Sequence, residues 1–155
     1  MDKDRINPMK KNGFSLIELI AVTSIIFILF GLVFTIGHAV RDRAERTEAA
    51  AMISSLEAAI SMYFADLGIY PANGIASPTS NDLRWALVTN WTAGWHGPYM
   101  EFDADMLDGN GNIIDPWGNA YNYDASNPPN NAASYDLWSF GPDGAAAGED
   151  DITNW

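Results

Sequence analysis

The longest hydrophobic segment of this 155-residue chain lies near its N-terminus and runs from Leu19 to Val40. At about 1.5 Å of rise per residue, a helix of about 22 residues spans about 33 Å, close to the hydrocarbon thickness of a bilayer. Basic residues precede the segment, whereas the residues after it carry both signs of charge, which favours a cytoplasmic N-terminus. The pattern predicts one membrane-spanning helix; a secretory signal fits less well, because its apolar core is usually about 7–15 residues.

From Arg41 onward the apolar run gives way to an amphipathic pattern. Apolar residues recur every three or four positions, as on one face of a helix. They are Met52, Leu56, Ala59, Ile60, Tyr63, Phe64 and Leu67. Because no strong helix breaker occurs between Phe14 and Leu67, we predict one helix of about 54 residues, roughly 80 Å long, whose second half packs on a globular domain.

The rest of the chain alternates short apolar runs with turn residues. Gly68 and Pro71 end the long helix, residues 72–82 form a polar loop, and Asp82 is predicted to cap a short helix at 83–88. Strands are predicted at 99–102, 112–114, 120–123 and 134–139, separated by turns at 108–111 and 115–119. This order predicts an α+β fold, in which the long N-terminal helix packs on a small antiparallel sheet.

Composition narrows the class of protein. The chain has no Cys and a net charge of −12. After Glu48 it contains fourteen Asp and Glu residues but only one Lys or Arg, Arg84. This charge excludes nucleic acid as a partner, because phosphate binding needs basic residues. His38 and His96 are isolated in the sequence and no nucleophile or phosphate motif accompanies them, so we expect no enzymatic activity.

A carboxylate, Glu18, stands at the start of the apolar segment. Its charge costs a few kcal/mol in hydrocarbon, so it requires a partner. Residues 13–18, Gly-Phe-Ser-Leu-Ile-Glu, resemble the cleavage signal of type IV pilins and of type II secretion pseudopilins. The resemblance implies that a prepilin peptidase cuts after Gly13, that Phe14 is N-methylated, and that Glu18 pairs with the new amino terminus of a neighbouring subunit.

The same resemblance implies a division of the chain into three parts. Residues 1–13 are a cleaved leader, 14–40 the transmembrane half of the helix, and 41–155 a periplasmic pilin-like domain that includes the amphipathic helix half. The protein is therefore expected in the inner membrane, crossing it once, with the globular domain in the periplasm.

Three C-terminal motifs make the resemblance more specific. They are the Asp-Pro-Trp-Gly-Asn turn at 115–119, Gly-Pro-Asp-Gly at 141–144 and the ending Asp-Asp-Ile-Thr-Asn-Trp at 150–155. Together they are similar to the major pseudopilin family of type II secretion systems. The family implies a subunit of a homo-oligomeric filament that drives protein export. Its partners are the prepilin peptidase, the inner-membrane platform of the secretion system and the minor pseudopilins.

The C-terminal loop is the candidate metal site. Asp143, Asp150 and Asp151 place three carboxylates in a loop without a basic residue, and calcium binds six to eight such oxygens in flexible loops. The resemblance implies a calcium site formed by these side chains and by backbone carbonyls near Phe140 and Pro142; a solvated acidic loop is the alternative. The acidic segment 103–112 lacks the EF-hand spacing, so a hairpin with solvent-facing carboxylates is predicted there.

Two other functions stay open from the sequence. One is a surface type IV pilus for adhesion or motility. The other is a membrane-tethered carbohydrate-binding module, because exposed Trp and Tyr rings can stack on sugars. We expect the aromatic rings of one segment to fill the core of the domain instead. This aromatic segment contains Trp91, Trp95 and Tyr99, with Pro98 among them.

Overall fold

The computed structural model describes residues 14–73, 80–89, 92–146 and 148–155, without the side chains of residues 32–39, 80 and 81. The predicted leader with Gly13, and Trp91 of the aromatic segment, lie outside the described residues. The chain divides into two compact units, Met1–Arg41 and Asp42–Trp155.

Helix α1 spans Leu16–Leu67, 52 residues, and confirms the long helix predicted for 14–67. It ends where Gly68 adopts a left-handed conformation with φ of 69° and its N–H donates to the Phe64 carbonyl, as at many helix C-termini. The predicted membrane half includes residues 32–39, whose side chains lie outside the description. Within the described residues, no helix combines the length and apolar character needed to cross a membrane.

Helix α2 spans Ser80–Thr89 and buries Leu83 and Leu87. It is longer than predicted, and Asp82 lies inside its first turn, so the prediction of Asp82 as the capping residue was wrong. At that position the carboxylate still interacts favourably with the positive end of the helix dipole.

The sheet has three antiparallel strands in the order β1-β2-β3. They are β1, Asn122–Asp124; β2, Asp136–Ser139; and β3, Ile152–Thr153. Tyr123 lies opposite Leu137 in the β1–β2 register. Strand β2 therefore occupies the centre, and the C-terminal end of the chain provides an edge of the sheet.

Two of the predicted strands were wrong. Residues 99–102 form no strand; the N–H of Tyr99 donates to the Leu87 carbonyl of α2 instead, which takes this segment away from the sheet. Residues 112–114 form only isolated bridges, one from Ile113 to Leu107 and one from Ile114 to Ala120. The hairpin predicted for this acidic segment is present in short form: Leu107 and Ile113 pair antiparallel around a tight turn, in which the Gly111 N–H donates to the Asp108 carbonyl.

The core lies between one face of α1, helix α2 and the sheet. Its fully buried members include Leu56, Ile60, Leu83, Leu87, Ile113, Tyr121, Tyr123 and Leu137. This arrangement confirms the α+β class, a long helix packed on a small antiparallel sheet.

Two details of the predicted core were wrong. Phe64 is 40% exposed, because it lies at the edge of the packed face and stacks on Tyr70 with ring centroids 4.5 Å apart. Trp95 and Tyr99 are half-buried and pack at the margin of the core instead of filling it. The Trp95 indole N–H reaches the Ala86 carbonyl at 3.1 Å, so its polar atom has a partner, as expected for a partly buried Trp.

Candidate functional site

The N-terminal candidate residues begin the described chain. Phe14 is 79% exposed, and Glu18 lies in the first turn of α1. The Ser15 N–H faces Glu18 Oε2 at 3.5 Å, and the Glu18 N–H donates to the Ser15 carbonyl at 3.0 Å. Ser15 and Glu18 thus have the spacing of a capping box, which directs the carboxylate toward the N-terminal end of the helix.

Large apolar side chains surround α1 on all sides in its first turns. From Phe14 to Phe30 they are 48–79% exposed. Exposed apolar surface of this extent marks a region that contacts lipid or another protein.

The Asp-Pro-Trp-Gly-Asn turn is joined to the C-terminal loop by buried polar contacts. Asp115 is 3% exposed; its Oδ1 accepts from the N–H groups of Trp117 and Asn119, and its Oδ2 accepts from Ser139 Oγ at 2.6 Å. Ser139 Oγ in turn accepts from the Gly141 N–H at 3.0 Å. Asn119 Nδ2 donates to the Gly141 carbonyl at 2.9 Å.

This network fixes the start of the candidate metal loop. A buried carboxylate is costly unless its oxygens are hydrogen-bonded, and each oxygen of Asp115 has partners. Because both the N–H and the carbonyl of Gly141 are bonded to side chains of the network, the backbone at Gly141 is held in one position. Its φ is 68°, a left-handed conformation that favours glycine.

The C-terminal strand is held by Asn154. Its N–H donates to the Leu137 carbonyl at 3.1 Å, and its Oδ1 accepts from the Leu137 N–H at 2.9 Å. Asn154 therefore pairs with β2 in the way a further strand residue would. Together with β3, this contact returns the chain to the sheet after the loop that contains the predicted metal ligands.

Two of the three predicted carboxylates approach the same space. A Cβ atom built on Gly148 would lie 2.5 Å from Asp150 Oδ1 and 3.5 Å from Asp143 Oδ2. Asp150 Oδ2 also accepts from the Asp143 N–H at 3.4 Å. The absence of a side chain at Gly148 thus leaves an opening beside both carboxylates.

The third carboxylate, Asp151, behaves differently. Its Oδ1 is a buried side-chain oxygen without a hydrogen-bond partner among the described residues. Among all the residues that the structure describes, no group of three or more His, Cys, Asp or Glu residues is arranged to hold a metal ion. The structure therefore brings Asp143 and Asp150 together but does not complete the predicted three-carboxylate cluster.

The donor chemistry of the loop fits calcium. Two carboxylates meet beside a glycine, a third carboxylate has an unsatisfied buried oxygen, and the predicted carbonyl donors, Phe140 and Pro142, flank Gly141. Oxygen donors of these kinds are the ones that calcium takes. An unsatisfied buried oxygen costs about 1–3 kcal/mol, which a cation would offset.

The acidic segment 103–112 is held by hydrogen bonds rather than by the spacing of a calcium loop. Asp108 Oδ2 accepts from Asn112 Nδ2 at 2.8 Å, and Asp108 Oδ1 accepts from the N–H groups of Asn110 and Asn112. The Asn112 side-chain amide is the main cause that holds the pKa of Asp108 below its usual value. The carboxylate is thus already engaged in an Asx-type turn.

His96 has a carboxylate neighbour, but the pair stays at the surface. Its Nδ1 lies 3.4 Å from Asp66 Oδ2, and the His96 side chain is 76% exposed. The Tyr99 hydroxyl donates to the same Asp66 oxygen at 2.6 Å, and this bond is the main cause that lowers the pKa of Asp66. The contact ties residues 96–99 to the end of α1.

Three residues of the Gly141 network were not singled out by the sequence analysis. Asp115 and Asn119 were noted only as turn residues, and Ser139 only as the end of a strand. The motif Asp115–Asn119 offered a signal, because an Asx residue at the first position of a turn bonds the backbone two residues later. The hydrogen bond between Asp115 and Ser139 joins positions 24 residues apart. Local sequence patterns do not indicate contacts between residues so far apart in the chain.

Known protein families match the chain in two parts. The family model described as type II secretion system (T2SS), protein G, matches residues 38–155. The model of the prokaryotic N-terminal methylation motif matches residues 8–34. The two matches together include every motif on which the sequence resemblance was based.

Individual relatives agree with the family match. Type II secretion system core protein G of Escherichia coli K12 is 35% identical over 148 residues, covering 94% of this chain and 92% of that protein. The core protein G of Pseudomonas aeruginosa is 32% identical over 155 residues, covering 94% and 96%. The crystal structure of the major pseudopilin from the type 2 secretion system of enterohaemorrhagic E. coli has a TM-score of 0.47 and 29% identity, covering 76% of this chain and 92% of that chain.

Proposed function

This chain belongs to the protein G family of type II secretion systems, and on that premise we propose that it is the major structural subunit of a pseudopilus that drives protein export. The observation that carries the proposal is the family match, which includes the whole globular unit Asp42–Trp155. The family consists of structural subunits, so the expectation that the chain is not an enzyme is confirmed. A prepilin peptidase acts on such a chain; the chain itself catalyses nothing.

The N-terminal residues support assembly through the helix. Removal of residues 1–13 leaves the amino group of Phe14 four positions before Glu18. The capping geometry directs the Glu18 carboxylate toward that end of α1, where the ammonium of an incoming subunit would meet it. An ammonium and a carboxylate in a low-dielectric environment attract strongly, and such a pair sets register more reliably than it adds stability.

The same residues support the proposed location. The exposed apolar side chains between Phe14 and Phe30 require lipid before assembly and neighbouring helices after it. The subunit is therefore anchored in the inner membrane by a single helix, with its globular unit in the periplasm. Its partners are copies of itself, the prepilin peptidase, the inner-membrane platform and the minor pseudopilins.

Calcium is the cofactor that the C-terminal loop suits. Asp143 and Asp150 would hold the ion from the space beside Gly148, with Asp151 and the carbonyls of Phe140 and Pro142 as further donors. When bound, the ion neutralises the mutual repulsion of the carboxylates. The bound ion would link the two ends of the loop between β2 and β3. The chain has no cysteine and hence no disulfide that could do so.

Removal of calcium is expected to lower the stability of the globular unit. A ligand that binds only the folded state at about 100 times its Kd stabilises it by about 2.7 kcal/mol. The melting temperature of the fragment beginning at Asp42 should therefore fall by about 10 °C when a chelator is added, and return with added calcium.

The variant Asp150→Asn tests whether this effect comes from the loop. It should melt at the temperature of the chelated fragment and show no response to calcium. Asp103→Asn, which removes an exposed carboxylate outside the loop, serves as the control and should respond like the unaltered fragment. A melting temperature that the chelator leaves unchanged would exclude the calcium site.

The proposed function is tested by the N-terminus of the mature protein. Expressed with its secretion system, the chain should be recovered from the membrane beginning with N-methylated Phe14, and it should form filaments. Mass spectrometry of the N-terminal peptide determines the cleavage position and the methylation together. A mature chain that begins at any other residue, or one that forms no filaments, would contradict the proposal.

A further inference from the structure

An acidic cleft lies on the globular unit, between α1, the short 3-10 helix Ala104–Met106 and the segment 114–118. Its volume is about 430 Å³, within the range of about 300–1,000 Å³ typical of binding pockets. The apolar part of its lining includes Met52, Met106, Ile114 and Trp117, and the acidic part includes Glu48 and Asp105. None of the described lining residues is Lys or Arg.

The two carboxylates at this cleft are available for a partner. Glu48 and Asp105 are exposed, and among the described residues neither has a hydrogen-bond or ion-pair partner. Asp115, which also lines the cleft, is by contrast buried and fully hydrogen-bonded. The charge also affects the Tyr121 hydroxyl, whose pKa is raised mainly by burial and further by Asp115 and Glu48.

The walls of the cleft suit a side chain with an apolar stem and a planar cationic head. Trp117 is fixed by a hydrogen bond from its indole N–H to Glu45 Oε2 at 3.0 Å, so the ring forms a stable wall. Arginine stacks on such rings and pairs with carboxylates. Its aliphatic stem packs well against apolar surface while the head stays with the charges.

After removal of the proposed leader, which contains four Lys and Arg residues, the Lys and Arg side chains that stay in the chain are four Arg. Arg84 donates to the Gly111 carbonyl at 2.9 Å, and Arg46 donates to the Asp150 carbonyl at 3.3 Å. Arg41 also has an interaction within the chain. Arg43 is exposed, and within the described residues its guanidinium group has no partner.

We propose that Arg43 of one copy of this chain inserts into the acidic cleft of a neighbouring copy, between Glu48 and Asp105 and against Trp117. The inference rests on the proposed function, since it requires copies that assemble. The contact is taken as head-to-tail, because a filament, which the proposed function requires, repeats one contact between successive copies. Contacts of this kind propagate into open helical filaments unless the rotation closes a ring.

Cross-linking between two single-cysteine chains tests the contact. The natural chain has no Cys, so co-expressed Arg43→Cys and Asp105→Cys chains carry the only thiols. A short bifunctional thiol reagent is needed, because an Arg–Asp pair separates the Cα atoms more than a disulfide allows. In assembled filaments we expect a covalent dimer that contains one chain of each type.

The matched control pairs Asp105→Cys with Met62→Cys, another exposed position on α1 that does not line the cleft. It should give no more dimer than the Asp105→Cys chain alone. Filaments that yield no Arg43–Asp105 dimer, or an equal amount from the control pair, would overturn the inference and leave the proposed function intact. Failure of the unaltered chain to form filaments would overturn both.

Charge reversal supplies a second readout. Arg43→Glu and Asp105→Arg should each lower the yield of filaments about tenfold, because like charges then face each other at the contact. The double variant should restore the yield to within about threefold of the unaltered chain. Equal yields from all four chains, or a double variant as poor as the worse single one, would contradict the contact. Unchanged melting temperatures show that the folded unit is intact.

Discussion

A Glu18→Ala chain is expected to enter the membrane in normal amount and to form no filaments. Insertion depends on the apolar segment, and removal of a charge from its start lowers the cost of insertion by a few kcal/mol. The proposed assembly requires the carboxylate, because the amino terminus of each incoming subunit would otherwise be an unpaired charge among apolar helices. The measurements are the amount of membrane-bound subunit and the number of filaments seen by electron microscopy.

The isosteric variant Glu18→Gln separates the capping contact of this residue seen in the structure from its proposed pairing with an amino terminus. Glutamine at the third helical position can still bond the Ser15 N–H, as in a capping box, but it carries no charge. If pairing with an amino terminus is the reason for Glu18, the Gln variant should fail to assemble as completely as the Ala variant. Normal filaments from Glu18→Gln would show that the residue only caps α1. Thr23→Ala, in the same helix, should assemble normally.

The parts of the fold that depend on local pattern could be predicted from the sequence. Helix α1 follows from apolar periodicity, and its end follows from Gly68, whose conformation is one that other residues adopt at a cost. The turn at 108–111 likewise follows from Asp108 and Gly111. In each case the residues that determine the structure are close together in the chain.

The parts that depend on distant contacts could not be predicted. Strand β3 contains two residues, too few for a pattern, and it forms because Asn154 and the Leu137 backbone satisfy each other. Residues 99–102 have a strand-like sequence but bond to α2 instead. Whether each segment became a strand was decided by the backbone it pairs with, and not by the intrinsic strand preference of its residues.

The candidate metal loop, too, could be predicted only in part from the sequence. The sequence offered three carboxylates close together in the chain, Asp143, Asp150 and Asp151, but proximity along the chain did not determine which of them converge. That depends on the approach of two backbone segments at Gly141 and Asp150. Asp115, whose buried hydrogen bond to Ser139 helps to hold Gly141, lies far from the loop in sequence.

Replacement of Gly141 by Ala is therefore expected to destabilise the globular unit more than the loss of calcium does. A Cβ atom at Gly141 would lie 2.5 Å from the Asp150 carbonyl oxygen and 3.1 Å from Asp150 Oδ2. The left-handed conformation itself costs a residue other than glycine about 1–2 kcal/mol, and relief of the clash requires movement of backbone held by Asp115 and Asn119. We expect a total loss above about 3 kcal/mol, out of the 5–15 kcal/mol typical of a domain, measured by denaturant unfolding.

Two other glycines separate the causes of this loss. Gly68 has φ of 69°, nearly the same as Gly141, but a Cβ atom there would meet nothing within 4 Å; Gly109 has neither a positive φ nor a neighbour within that distance. Gly68→Ala should therefore cost about 1–2 kcal/mol, the conformational part alone, and Gly109→Ala should cost almost nothing. If Gly141→Ala is no worse than Gly68→Ala, the approach of Gly141 to Asp150 is not a tight contact in solution. If it is worse and the variant also loses its response to calcium, the two backbone segments form one unit with the metal loop, because the clash displaces a proposed ligand.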